Sequence, residues 1–151
     1  MNQIEIISEN SNCTAINVGS MDKWNEYSII FPISRREVKG KIFLKDATQA
    51  TGTEISLNSL PPKAELPDFH FHKKNEETYI ILRGSGLFLV DDDSFPIEEG
   101  SVIRVAPEGK RCITNTSDSE MLFICIQSKA GSLEEYTIDD GEQVSIKGVE
   151  S

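Results

Sequence analysis

The chain's two histidines stand two residues apart, in Asp68-Phe69-His70-Phe71-His72. In an extended segment, side chains at i and i+2 point to one face, so His70 and His72 can present two imidazoles to one point. Glu77 follows after the short polar stretch Lys73-Lys74-Asn75-Glu76. Two neutral imidazoles and one carboxylate make a ligand set for a divalent transition metal: zinc, iron, manganese, nickel or copper. An isolated His-x-His pair is more often an ordinary surface or half-buried feature. Here the carboxylate, the strand-like run that follows it and the turn Gly84-Ser85-Gly86 set the pair apart.

The elements that must position these residues read as strands. Short apolar or alternating runs separated by turn residues indicate an all-β sandwich or barrel, with no long helical periodicity. Strands are expected at Ile4 to Ile7, Tyr27 to Phe31, Lys41 to Leu44 and Glu54 to Leu60. The histidine segment follows, then Thr78 to Leu82, Leu87 to Val90, Ser101 to Val105, Arg111 to Asn115 and Met121 to Gln127. Asp91-Asp92-Asp93 reads as a hairpin turn; it lacks the spaced oxygen ligands of a calcium loop. Leu133 to Ile138 fits either a last strand or a short helix, and residues 8 to 25 have no clear pattern.

His70, His72, Glu77 and Gly84, with gaps of four and six residues before the last two, resemble the first motif of the cupin superfamily. The segment from Gly100 to Asn115 resembles the second. In an ungapped register Arg111 stands where that motif has a histidine, its fourth metal ligand; an alternative register puts Cys112 there. Ala106 and Glu108 replace the usual Pro and Gly. The resemblance covers about residues 53 to 127. It implies a double-stranded β-helix, a jelly-roll-like barrel of two antiparallel sheets with the metal site inside. Residues 51–151 then form the barrel core and C-terminal segment. Residues 1–50 add an N-terminal strand extension to the same domain, positioned to cross to a partner in a homodimer.

Around the metal triad of His70, His72 and Glu77, Arg111 admits three roles. It can oppose the ion by charge repulsion, since a guanidinium stays protonated. It can pair with Glu77 in a metal-free pocket that recognises a carboxylate or phosphate. It can also clamp the carboxylate of an acid that coordinates the ion. Tyr79 shares a strand face with Glu77 and either offers its hydroxyl to a ligand or fills the core. Cys112 is a space filler or a thiolate, and Gln127, ending an apolar strand, is a candidate pocket residue. Cys125 reads as a buried small hydrophobe, Arg104 as a surface residue and Trp24 as a packing anchor.

A net charge of −10 argues against nucleic acid and anionic membranes as partners. The chain lacks an apolar run of membrane-spanning length and a basic-then-apolar start of the secretory kind. Three widely spaced cysteines do not make a disulfide framework, so a reducing cytoplasm is expected. Two functions follow. One is a small metal-dependent enzyme acting on a small oxygen-rich or carboxylate-bearing molecule. The other is a non-catalytic small-molecule-binding or sensor barrel that uses Arg111 to hold an anion, with or without the ion.

Overall fold

Alternation in sequence becomes two-sided burial in space. The structure, a computed structural model, describes residues 3–64 and 68–145. Residues 1–2, 65–67 and 146–151, and with them both ends of the two-part division above, lie outside the described residues. In chain order the strands are β1 (Glu5–Asn10), β2 (Cys13–Asn17), β3 (Ser28–Ile30), β4 (Glu37–Lys39), β5 (Lys41–Phe43), β6 (Glu54–Leu60), β7 (Asn75–Arg83), β8 (Ser85–Val90), β9 (Asp93–Glu98), β10 (Val102–Val105), β11 (Arg111–Thr114) and β12 (Met121–Lys129). A 3-10 turn at Met21–Glu26 and one helical turn, α1 (Lys45–Thr48), complete the set.

The barrel is built from a five-stranded antiparallel sheet, ordered β10-β7-β12-β6-β5, and a three-stranded sheet, ordered β11-β8-β9. Tyr79, Ile81, Phe88, Ile97, Val105, Met121, Phe123 and Cys125 form its core. The opposite face of the larger sheet is covered too. There Leu57 and Leu122 pack against Trp24 and Tyr27, with Val18, Ile42 and Leu82 around them. Trp24 is thus the packing anchor its composition suggested, and the N-terminal segment closes the outer side of the barrel sheet. The Tyr27 hydroxyl donates to the Val18 carbonyl at 2.9 Å, which satisfies its polar end in that apolar layer.

Gly84 turns the chain between β7 and β8 with φ +83°. A Cβ there would lie 2.6 Å from the Glu120 carbonyl oxygen, so only glycine fits. Ser85 and Gly86 belong to β8 rather than to the turn. Asp91 and Asp92 form the expected hairpin, closed by the pair Val90 and Asp93.

Several elements differ from expectation. β9 carries Pro96, which argues against a central strand. It is tolerated because β9 is the edge of its sheet, where one row of N–H groups needs no partner. The histidine segment is extended but joins the sheet only by an isolated bridge between His70 and Arg111. β7 begins at Asn75, before the expected Thr78, so Glu77 sits within the strand. Residues 133–138 form neither strand nor helix, and Leu133, Tyr136 and Ile138 are exposed. Within residues 8–25 lie β2 and most of the 3-10 turn.

Candidate metal centre at the barrel mouth

The site starts from backbone pairing. His70 exchanges two hydrogen bonds with Arg111, N to O at 3.1 Å and O from N at 2.9 Å. The His72 N–H donates to the Pro107 carbonyl at 2.9 Å. Directly opposed residues in an antiparallel pair share a face, so the His70 and Arg111 side chains both project toward β7. The two histidine rings meet edge to face with centroids 5.3 Å apart. Phe69 and Phe71, the alternating neighbours, are exposed.

β7 brings Glu77 to meet them, and its two carboxylate oxygens have different surroundings. Oε1 faces the imidazoles: His72 Nε2 hydrogen-bonds to it and His70 Nε2 lies 3.5 Å away. Oε2 faces the core, accepting from the Tyr79 hydroxyl and, at 3.4 Å, from the Cys125 thiol. Arg111 Nε stands 3.6 Å from the same oxygen. Burial pushes the Glu77 carboxyl upward. Hydrogen bonds from His70 and Tyr79, with the electrostatic pull of His70 and Arg111, outweigh that and hold it well below the usual carboxylate range. The same burial, with the Glu77 charge beside them, pushes the Tyr79 hydroxyl up and the Cys125 thiol up to about 12. Both stay protonated at neutral pH and serve as donors to Glu77.

The ligand atoms of His70, His72 and Glu77 all lie within 4.8 Å of one another. Three donors at ordinary zinc distances from one ion stand about 3.0–3.5 Å apart. The donor set therefore fits a divalent transition ion in identity, and its atoms are close enough to converge on one ion after small side-chain adjustments. The carboxylate, held ionised, needs no proton loss to ligate. A surface depression of about 470 Å³, bordered by Phe95, Ile103, Arg104 and Glu108, contains none of these donors.

Arg111, not Cys112, is the β11 residue that faces Glu77. Its side chain is fully buried, and Nη1 donates to the carbonyls of Gly109 at 2.6 Å and Pro107 at 3.2 Å. Nε and Nη2 have no hydrogen-bond partner among the described residues. Cys112 corrects the alternative register. Strand alternation turns it to the other face of β11, where burial, and secondarily the Asp68 carboxylate, push its thiol up. Gln127 does face the site: it pairs with Glu77 across β12 and β7, and its Oε1 accepts from Asn75 Nδ2 at 2.7 Å. Arg104 faces outward and bonds Glu76 at 2.8 Å. Asn115, last residue of the second motif, is structural. Its Nδ2 donates to the carbonyls of Leu60, Pro61 and Ser119, and its Oδ1 accepts from Ser117.

Sequence reasoning missed Lys41, Ser56 and Asn58. Lys41 Nζ donates to Asn58 Oδ1 at 2.7 Å and to Ser56 Oγ at 3.4 Å. The alternation of Ser56 and Asn58 with Ile55 and Leu57 resembles that of a strand with one wet face. The outer cover of Trp24 and Tyr27, which makes Leu57 the outward core residue, has no signal in that stretch. Cys125, read as a hydrophobe, is also a donor to Glu77.

Comparison with known proteins agrees with this architecture. A family model for the cupin domain matches residues 56–127. A cupin protein from Bacteroides fragilis is 46% identical, with a TM-score of 0.67 over 70% of this chain and 89% of that one. The chain belongs to the cupin family. A predicted oxalate decarboxylase from Thermotoga maritima is a more distant structural neighbour, 26% identical with a TM-score of 0.54, over 63% of this chain and 83% of that one. An uncharacterized protein from Methanocaldococcus jannaschii is 30% identical over 75 residues, which are 49% of this cupin. The match spans 60% of that relative's length. No helix among the described residues is long and apolar enough to cross a membrane.

Proposed function

We propose that this cupin holds a divalent transition metal through His70, His72 and Glu77 and acts as a small enzyme on a carboxylate-bearing molecule at the barrel mouth. The observation that carries the proposal is the division of labour within Glu77: Oε1 faces two imidazoles while Oε2 is satisfied from the core. A bound ion supplies Lewis acidity to a ligand oxygen at positions the protein leaves open. The chain's own residues do the rest. Tyr79, Cys125 and Arg111 keep Glu77 ionised and aimed. The pairing of His70 with Arg111 fixes the first imidazole, and the tie from His72 to Pro107 fixes the second. The carboxylate substrate class is supported by likeness to the Thermotoga maritima protein.

Titration of the protein with cobalt(II) tests the centre. The reading expects a visible spectrum of nitrogen–oxygen coordination that saturates near one ion per chain and is lost in His70→Ala/His72→Ala. Following oxalate and other small dicarboxylates by NMR then tests turnover.

A second reading, a binding or sensor cupin in which Arg111 holds the anion, is favoured by its Nη2, which has no hydrogen-bond partner among the described residues. Its complete burial speaks against direct contact with a ligand. An anion affinity lost in Arg111→Ala, without turnover by the wild type, favours the second reading. The exposed Ile6, Ile7, Ile30 and Ile33 of the N-terminal hairpin regions suit a homodimer. Light scattering at micromolar concentration tests that, against 16.8 kDa for one chain. The three cysteines, none in a disulfide, suit a reducing cytoplasm.

A further inference from the structure

Lys41 is a cation on the inner face of the barrel sheet without a carboxylate partner. It is placed by β5, whose Ile42 packs on the outer cluster with Trp24 while Lys41 takes the opposite side. Its ammonium donates only to neutral groups, Asn58 Oδ1 and Ser56 Oγ, both on buried residues of β6. It stands 4.9 Å from the centroid of the Phe43 ring, two residues along and partly exposed. No ion pair involves Lys41 among the described residues. The two carboxylates whose charges act on Lys41 are engaged elsewhere: Glu77 by Tyr79, Cys125, Arg111 and the histidines, and Glu54 by the Lys45 N–H at 2.7 Å.

A charge held out of water without a counter-charge is costly, so such groups are normally paired. Arg111 already accompanies Glu77, which leaves Lys41 as the surplus positive charge of the inner face. Asn58 and Ser56 hold the ammonium in place beside the Phe43 ring. Lys41 lies upstream of the segment that matches the cupin domain, residues 56–127.

We infer that Lys41 is the anion anchor of this cupin: it binds one carboxylate of a small dicarboxylate-like ligand whose other end faces His70, His72 and Glu77. The inference rests on the metal reading above for the second end of the ligand only. It moves the clamping role from the sealed Arg111 to a lysine on the opposite sheet edge, and it sets specificity for a ligand with two oxygen-bearing ends.

Malonate is the probe, titrated calorimetrically into metal-loaded wild type and Lys41→Met, with metal content measured on both. The expected result is at least a tenfold weaker malonate affinity in Lys41→Met with metal content unchanged. Affinity within twofold of wild type overturns the inference and leaves Lys41 a structural cation. Lys41→Gln, which keeps a donor near Asn58 but no charge, is measured alongside; the same loss supports the inference, and wild-type affinity overturns it even if Lys41→Met does not fold. If the wild type takes up no metal, the metal reading fails on its own account. Inorganic phosphate titrated into the metal-free protein then tests Lys41. Tenfold weakening in either variant supports the anchor, and a wild type that binds neither probe overturns it.

Discussion

Glu77 is the residue on which the account turns, because its two oxygens serve different neighbours. Arg111 accompanies it as an enclosed charge, and removing one partner of a buried pair leaves the other uncompensated. Arg111→Ala is therefore expected to lower unfolding stability by about 3–5 kcal/mol, read from the urea midpoint; a loss under about 1 kcal/mol would mean that the carboxylate is satisfied without it. Arg111→His, which removes the positive charge and adds an imidazole toward the triad, is expected to tighten metal binding at least tenfold in competition with a chelator. The thiols give a second check. Cys13 is exposed while Cys112 and Cys125 are buried with raised pKa values. A thiol reagent at pH 8 should modify Cys13 rapidly in the native protein and the other two only after unfolding. At this scale the triad was legible from spacing alone, since His-x-His and a following carboxylate declare their shared face. Lys41 was not, because nothing local distinguishes a lysine turned inward from one turned to water.

At the scale of elements, the barrel holds the site through its turns and its outer cover. Gly84→Ala meets both a left-handed backbone and the Glu120 carbonyl. It is expected to cost well over the ~1 kcal/mol of an ordinary glycine-to-alanine penalty and to loosen the neighbouring β7, on which Glu77 rides. Trp24→Ala removes the centre of the outer cluster, and a loss of about 3–5 kcal/mol is expected in denaturant unfolding. A loss near zero would show that the N-terminal segment does not cover the barrel sheet. Most barrel strands could be read from alternation because each exposes a distinct set of residues to the core. β9 was hidden by its proline and β2 by a polar segment whose burial depends on distant partners. The leucine, tyrosine and isoleucine of residues 133–138 mimic a strand without having a sheet edge to pair with.

For the whole molecule, a net charge of −10 encloses an interior that carries Lys41 and Arg111. Such an acidic surface disfavours polyanions, for which its field is repulsive. Glu77 also links the fold to pH. Its carboxyl is depressed in the folded chain, and its ordinary value is 4.5. The unfolded chain thus takes up a proton there first as pH falls. The stabilisation is complete above about pH 4.5 and declines below it. In the metal-free protein, unfolding free energy should fall from pH 5 to pH 3, and Glu77→Gln should flatten that fall; an unchanged slope would remove Glu77 from the linkage. Elemental analysis of untagged protein prepared without chelator, beside His70→Ala/His72→Ala, tests the metal centre itself. Close to one transition-metal ion per wild-type chain is expected, and none in the variant. A wild type that stays metal-free after reconstitution, or a variant that keeps its ion, would contradict it.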